Sequence, residues 1–260
     1  MSKKEKDLKL IYDNPFHIKN IEDPDIEMQL TAVKKNSSII QYIKYPAIEV
    51  QKEAVKSNPY LIEYIKDPLE EIQILSVKGS WNSLKYIKSP TEKTKHEAIN
   101  SKGWAIQFIK EPSLKMQVEA VKKDYDSIRY IKDPNEKVQI EAVKNHWSAI
   151  KYIEKPTVES QKIAISQSEE AITYIDIYNE ERIKEFLKVN INILKYIYED
   201  VTEELIDEVL MEKLKDEDIE EKYVKDFLNL EILDIDKIKF IYNYGSKKAK
   251  KILIDYKLAI

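Results

Sequence analysis

The chain has 260 residues, 35% of them charged and 43% apolar, with a formal net charge of −4. That apolar share suffices for a continuous core and excludes a wholly disordered chain. Three glycines argue against a loop-rich all-β fold, and the absence of cysteine excludes disulfides, thiolate metal sites and cysteine nucleophiles.

The opening stretch, "MSKKEKDLKLIYDNP", is positively charged and lacks the apolar run of a signal peptide. No stretch approaches the roughly 18 apolar residues of a membrane span. With the cysteine-free composition, which fits a reducing compartment, these features lead to the expectation of a soluble, cytoplasmic protein without membrane contact.

From Pro24 onward the chain repeats itself. Pro24, Pro46, Pro68, Pro90, Pro112, Pro134 and Pro156 stand 22 residues apart without a slip. Five residues after each comes Gln29, Gln51, Gln73, Lys95, Gln117, Gln139 or Gln161. Eight residues after it comes an alanine, or Ser76 in one case, and the next position is always Val or Ile. A second set of columns follows: Ile40 to Ile172, then Tyr42, Tyr64, Tyr86, Phe108, Tyr130, Tyr152 and Tyr174, each followed by isoleucine.

Each repeat predicts two helical pieces. Asp23, Asp67, Ser89 and Asp133 precede their prolines as N-caps, with the proline at the first helical position, and Glu70, Glu92 and Glu136 complete capping boxes. Apolar positions four, eight and nine after the proline form one stripe on a helix of about three turns. A break near Asn36, Asn58 or their equivalents precedes a single helical turn, α or 3₁₀. Isolated helices under about 12 residues are marginal in water, so each repeat must bury its stripe against its neighbours.

The phase carries on after the prolines end, through Leu194, Tyr196, Ile197, Ile238, Phe240, Ile241 and the last residue, Ile260. About eleven repeats are expected, with residues 200–235 eroded. Character changes near residue 177, which divides the chain into regular repeats over 1–177 and degenerate, acidic repeats with a cap over 178–260. Residues 1–150 hold 25 Lys/Arg against 22 Asp/Glu, whereas residues 199–221 hold 12 acidic side chains and two lysines.

The unit of Asp-Pro, three variable residues, Val-Gln, Ala-Val-Lys, Asn-Pro and Ile-x-Tyr-Ile resembles the leucine-rich repeat variant family. It is also similar to short helical repeats of unknown function in bacterial and phage proteins. The resemblance covers residues 15–177 and implies an all-α, right-handed solenoid, a superhelix of alternating α and short 3₁₀ helices related to HEAT arrays. Glutamine stands where that family commonly has arginine, and without cysteines no iron–sulfur role carries over.

Stacked repeats turn columns into ladders. The glutamines either bond the next repeat's backbone or line a polar groove, and the first reading is favoured. Lys34, Lys56, Lys78, Lys122 and Lys144 close the longer helix and Lys44, Lys66, Lys88, Lys110 and Lys132 the shorter one. Such rows suit phosphate tracking, but also favourable contact with the negative ends of helix dipoles. The turn between the helices carries Phe16, Tyr60, Trp81, Trp104, Tyr125 and Trp147. These rings either staple neighbouring repeats or form a ridge of binding hot spots. The acidic segment is either a solubilising cap or a decoy for a nucleic-acid channel.

His17, His96 and His146 fall in different columns without metal-ligand spacing, and no phosphate loop, nucleophile elbow or dinucleotide fingerprint occurs. The expectation is a non-enzymatic scaffold without cofactor or metal. It would bind a protein partner through Tyr60, Trp81, Trp104, Tyr125 and Trp147 with Lys56, Lys78, Lys122 and Lys144. The alternatives are a nucleic-acid-binding solenoid using the lysine rows, or an inhibitor whose acidic segment blocks a nucleic-acid enzyme of bacterial defence.

Overall fold

Two features recur at the boundaries of the regular repeats: a proline that cannot continue a helix, and a break residue whose side chain, at Asn14, Asn36, Asn58 and His146, caps the next one. The computed structural model describes residues 2–176 and 179–258. Ten-residue α-helices recur at Ile26–Lys35, Ile48–Ser57, Glu70–Gly79, Glu92–Ser101, Leu114–Lys123, Glu136–Asn145, Val158–Gln167 and Glu180–Val189, preceded by the 11-residue Lys3–Asp13. Six-residue 3₁₀ helices follow the first eight of these nine helices, from Pro15–Asn20 to Glu169–Tyr174. Asn36 and Asn58, where the break is expected, end one helix and cap the next, accepting from the N–H groups of Ser38 and Tyr60 at 3.0 and 3.1 Å.

The long helices start two residues later than the sequence predicts. The observed N-caps are Asp25, Ala47, Leu69, Thr91, Ser113, Asn135 and Thr157, each the residue after a proline. An N-cap takes extended backbone, whereas Asp67 and Asp133 lie in the left-handed region with φ of 48° and 47°. Glu70, Glu92 and Glu136 are therefore first helical residues and complete no capping box. The box found among the described residues is Ser2 with Glu5.

The chain forms two compact units, Met1–Lys132 and Asp133–Ile260. In the first, six repeats stack in two layers: each long helix packs on the next long helix and each short helix on the next short helix. The second holds five repeats built the same way. In its third repeat the short element is Ile191–Ile193 continued by Leu194–Ile197. In its last two repeats full α-helices replace the short turn. Glu203–Lys215 stacks on Glu180–Val189 while Glu221–Asn229 packs on the preceding short element; Lys237–Tyr244 then pairs with Lys247–Leu258. Each unit is an all-helical stack of the α-solenoid kind, with six repeats in the first and five in the second among the described residues.

The 22-residue register ends where those longer helices begin. Residues 200–235, which read as eroded, form one complete repeat and the start of another. Ile238, Phe240 and Ile241, expected in a short helix, belong to a long-layer helix, and Ile238 is 46% exposed. The predicted change near residue 177 falls on Ile177 and Tyr178, outside the described residues, as does Ile260.

The apolar columns are the core. Ala32, Ala54, Ala98, Ala120, Ala142 and Ala164 are fully buried, and Val33 to Ile165 and Ile40 to Ile172 are nearly so. Alanine at the closest approach of neighbouring helices lets the valine and isoleucine columns interlock. Each fully buried large aliphatic side chain contributes about 1.5–3 kcal/mol, so repeat-on-repeat burial dominates stability.

Candidate functional site

The turn aromatics occupy two adjacent positions rather than one column. Trp81 and Trp147 stand 13 residues after Pro68 and Pro134, whereas Tyr60 and Trp104 stand 14 after Pro46 and Pro90. From either position the ring reaches the tyrosine column of the following repeat. Centroid separations are 6.1 Å for Phe16–Tyr42, 5.9 Å for Tyr60–Tyr86 and 6.1 Å for Trp81–Phe108. They are 6.1 Å for Trp104–Tyr130 and 6.5 Å for Trp147–Tyr174. The polar tips are anchored too: Trp104 Nε1 donates to Asp126 Oδ1 at 2.7 Å, and the Tyr60 hydroxyl lies 3.0 Å from Ser80 Oγ. Trp81, Trp104, Tyr125 and Trp147 are half-buried and Tyr60 exposed. The geometry makes Phe16, Tyr60, Trp81, Trp104 and Trp147 staples between repeats.

A cation set that the sequence reading missed sits over the rings. Lys19 Nζ lies 3.5 Å from the Tyr42 centroid, Lys85 4.7 Å from Tyr86, and Lys151 4.8 and 4.3 Å from Trp147 and Tyr174. The Arg129 guanidinium lies 5.7 Å from Trp104 and 6.0 Å from Tyr130. The signal was available, since Lys85, Arg129 and Lys151 each directly precede a column tyrosine. Lys56, Lys78, Lys122 and Lys144 instead project exposed from the ends of long helices, where Lys78 approaches Glu97 at 3.7 Å.

Beside the tyrosine column, clefts open between the end of one repeat and the proline of the next. The larger, 390 Å³, is lined by Tyr64, Tyr86, Lys66, Asp67, Pro68 and Gln73 among others, and one of 260 Å³ by Tyr174, Lys155, Pro156 and Gln161. Two glutamines of this column, Gln29 and Gln73, are bonded on both sides. Gln29 Nε2 donates to the Pro24 carbonyl at 2.8 Å and its Oε1 accepts from Ala47 N–H of the next repeat at 3.0 Å. Gln73 repeats the pattern on Pro68 and Thr91.

Long-helix faces are joined by exposed ion pairs such as Lys52–Glu71 at 2.8 Å, Lys162–Glu185 at 3.4 Å and Lys184–Glu208 at 2.7 Å. Lys4 lies 2.9 Å from Asp25 and 2.7 Å from Glu27, and its ammonium, helped by the Met28 N–H, holds the Asp25 carboxyl below the usual range. Solvent screens exposed pairs of this kind, so each adds little to stability. His17 faces Asp7 at 3.7 Å, His96 bonds Glu119 at 2.5 Å, and His146 caps a short helix. Among the described residues no group of three or more His, Asp and Glu is placed to hold a metal ion, and no helix is long and apolar enough to cross a membrane.

No protein-family model, curated protein or solved structure matches the chain.

Proposed function

We propose that the chain is a non-enzymatic, cytoplasmic scaffold that captures a protein partner on its ring row and the lysines beside it, Lys56, Lys78, Lys122 and Lys144 among them. In this reading it belongs with the leucine-rich repeat variant and HEAT-like short helical repeats. The observation that carries the proposal is the half-exposed ring row itself: aromatic faces already locked by their neighbours. Tyr and Trp dominate binding hot spots, and side chains fixed before binding lose little entropy on complex formation.

Tyr64 separates binding from stapling. It is 47% exposed and has no ring partner among the described residues, because its preceding turn carries Ser37 and Ser38. The full chain, immobilised and exposed to lysate of its native host, should retain defined proteins. The variant Tyr64→Ala with Lys56→Glu should retain at least about tenfold less, at a stability cost under about 1 kcal/mol. Unchanged retention would reject the ring row as the contact. Retention of nucleic acid alone, falling steeply with salt, would replace this reading by the phosphate-tracking one.

A further inference from the structure

The second compact unit leaves two blocks of opposite charge unpaired. Of the 12 acidic side chains in residues 199–221, Glu208 and Glu212 pair with Lys184 and Lys188, Asp216 with Lys213 and Glu221 with Lys225. The remaining eight have no ion-pair partner among the described residues. They include Glu203 and Glu204 at the start of one helix and Glu217, Asp218 and Glu220 in the loop that leaves it.

Residues 237–258 have the opposite character, with seven lysines against Asp255. Lys237 donates to the Leu230 carbonyl at 2.5 Å, and the other six lysines have no ion-pair partner among the described residues. Large apolar side chains lie open among them: Tyr242 is 73% exposed, Ile254 59% and Leu258 82%. Lys250 Nζ sits 5.7 Å from the Tyr242 ring, which ties the two terminal helices into one face. Elsewhere in the molecule long-helix lysines reach carboxylates of the next repeat, as Lys52 reaches Glu71 and Lys184 reaches Glu208.

The two blocks are neighbours. The Ser246 N–H, just before Lys247–Leu258, donates to the Leu214 carbonyl at 2.7 Å, at the end of the acidic helix Glu203–Lys215. Helix Lys247–Leu258 also packs on Glu221–Asn229. We propose that this face docks onto the same face of a second copy of the chain, the lysine block with Tyr242, Ile254 and Leu258 of each copy meeting the carboxylate block of the other. Because both blocks lie on one unit, a single two-fold operation makes both contacts at once. An anionic lipid surface or a nucleic acid would satisfy the lysines but meet Glu217, Asp218 and Glu220 in the adjoining loop, and only a partner carrying both signs answers both.

Sedimentation velocity of the full chain tests this. A concentration-dependent dimer is expected, its dissociation constant rising at least about tenfold between about 50 mM and about 500 mM salt as the charges are screened. Lys247→Glu with Lys248→Glu and Lys251→Glu should sediment as a monomer, as should Glu217→Lys with Asp218→Lys and Glu220→Lys. Mixing the two variants should restore the dimer, because their blocks are again complementary. A monomer at every concentration and salt would overturn the proposal. So would a dimer indifferent to salt and to either reversal, or low-salt binding of phosphatidylserine vesicles or duplex DNA by a chain that stays monomeric. The salt series on the unaltered chain decides the matter even where a variant does not fold.

Discussion

Gln139 holds two loops at once: its Nε2 donates to the Pro134 carbonyl at 2.9 Å while its Oε1 accepts from the Thr157 N–H of the next repeat at 2.8 Å. The Ser160 hydroxyl adds a third bond at 3.1 Å. Gln139→Leu keeps the volume and strands those loop groups, which costs about 1–3 kcal/mol for an unsatisfied buried polar group. Urea denaturation should show the midpoint falling with unchanged slope. A neutral outcome would mean that the seam is held by apolar contact alone.

Ser127 makes the opposite prediction. It is fully buried and its Oγ has no hydrogen-bond partner among the described residues, whereas the matching Ser83 is bonded to Ser76 at 2.7 Å. The same column carries Ala105, Ala149 and Ala171. Ser127→Ala removes an unpaired hydroxyl without leaving a void larger than one atom, and should raise stability by up to about 1 kcal/mol, read as a higher melting temperature.

Gly79 lies against Pro59. A Cβ on Gly79 would lie 2.5 Å from the Pro59 ring, which shares its column with Pro15. Gly79→Ala should cost about 1–3 kcal/mol through this overlap. In the Pro59→Ser background the same change should be neutral or stabilising by up to about 1 kcal/mol, as alanine is the better helix former. Four denaturation curves give the cycle.

Tyr223 predicts the alkaline limit of the second unit. Burial pushes its phenol above the ordinary value of 10.0, and the neutral hydroxyl donates to the Leu187 carbonyl at 3.0 Å. A group whose folded pKa is raised contributes stability that is present below its unfolded pKa and lost as pH climbs above it. Stability should therefore fall above about pH 10, and fall less steeply in Tyr223→Phe. Parallel slopes for the two proteins would contradict this.

The regular part of this fold was legible because 22-residue spacing writes the same burial pattern many times over. Ala32, Val33 and Ile40 sit where their columns place them, and eleven repeats were countable. Helix starts were misjudged because Asp-Pro and Ser-Pro look like a cap followed by a first turn. The glutamine five residues later holds the proline carbonyl in the loop, and that partner is not adjacent in sequence. The last repeats were read as eroded because Glu203–Lys215 is three residues longer than a regular helix and breaks the register. The turn aromatics were recognised, but not their alternation between two positions, since only stacking shows that both lead to the tyrosine column. The cations over those rings went unseen for the same reason.

The interlock of neighbouring repeats is most directly measured between Trp104 and Tyr130, whose rings meet edge to face at 6.1 Å. A double-mutant cycle of Trp104→Ala and Tyr130→Ala should give a favourable coupling of about 0.5–1.5 kcal/mol. Trp104→Ala alone should lose more than Tyr64→Ala, which breaks no staple. A coupling indistinguishable from zero, with Trp104→Ala tolerated at full stability, would contradict the account in which side chains of consecutive repeats lock into rows.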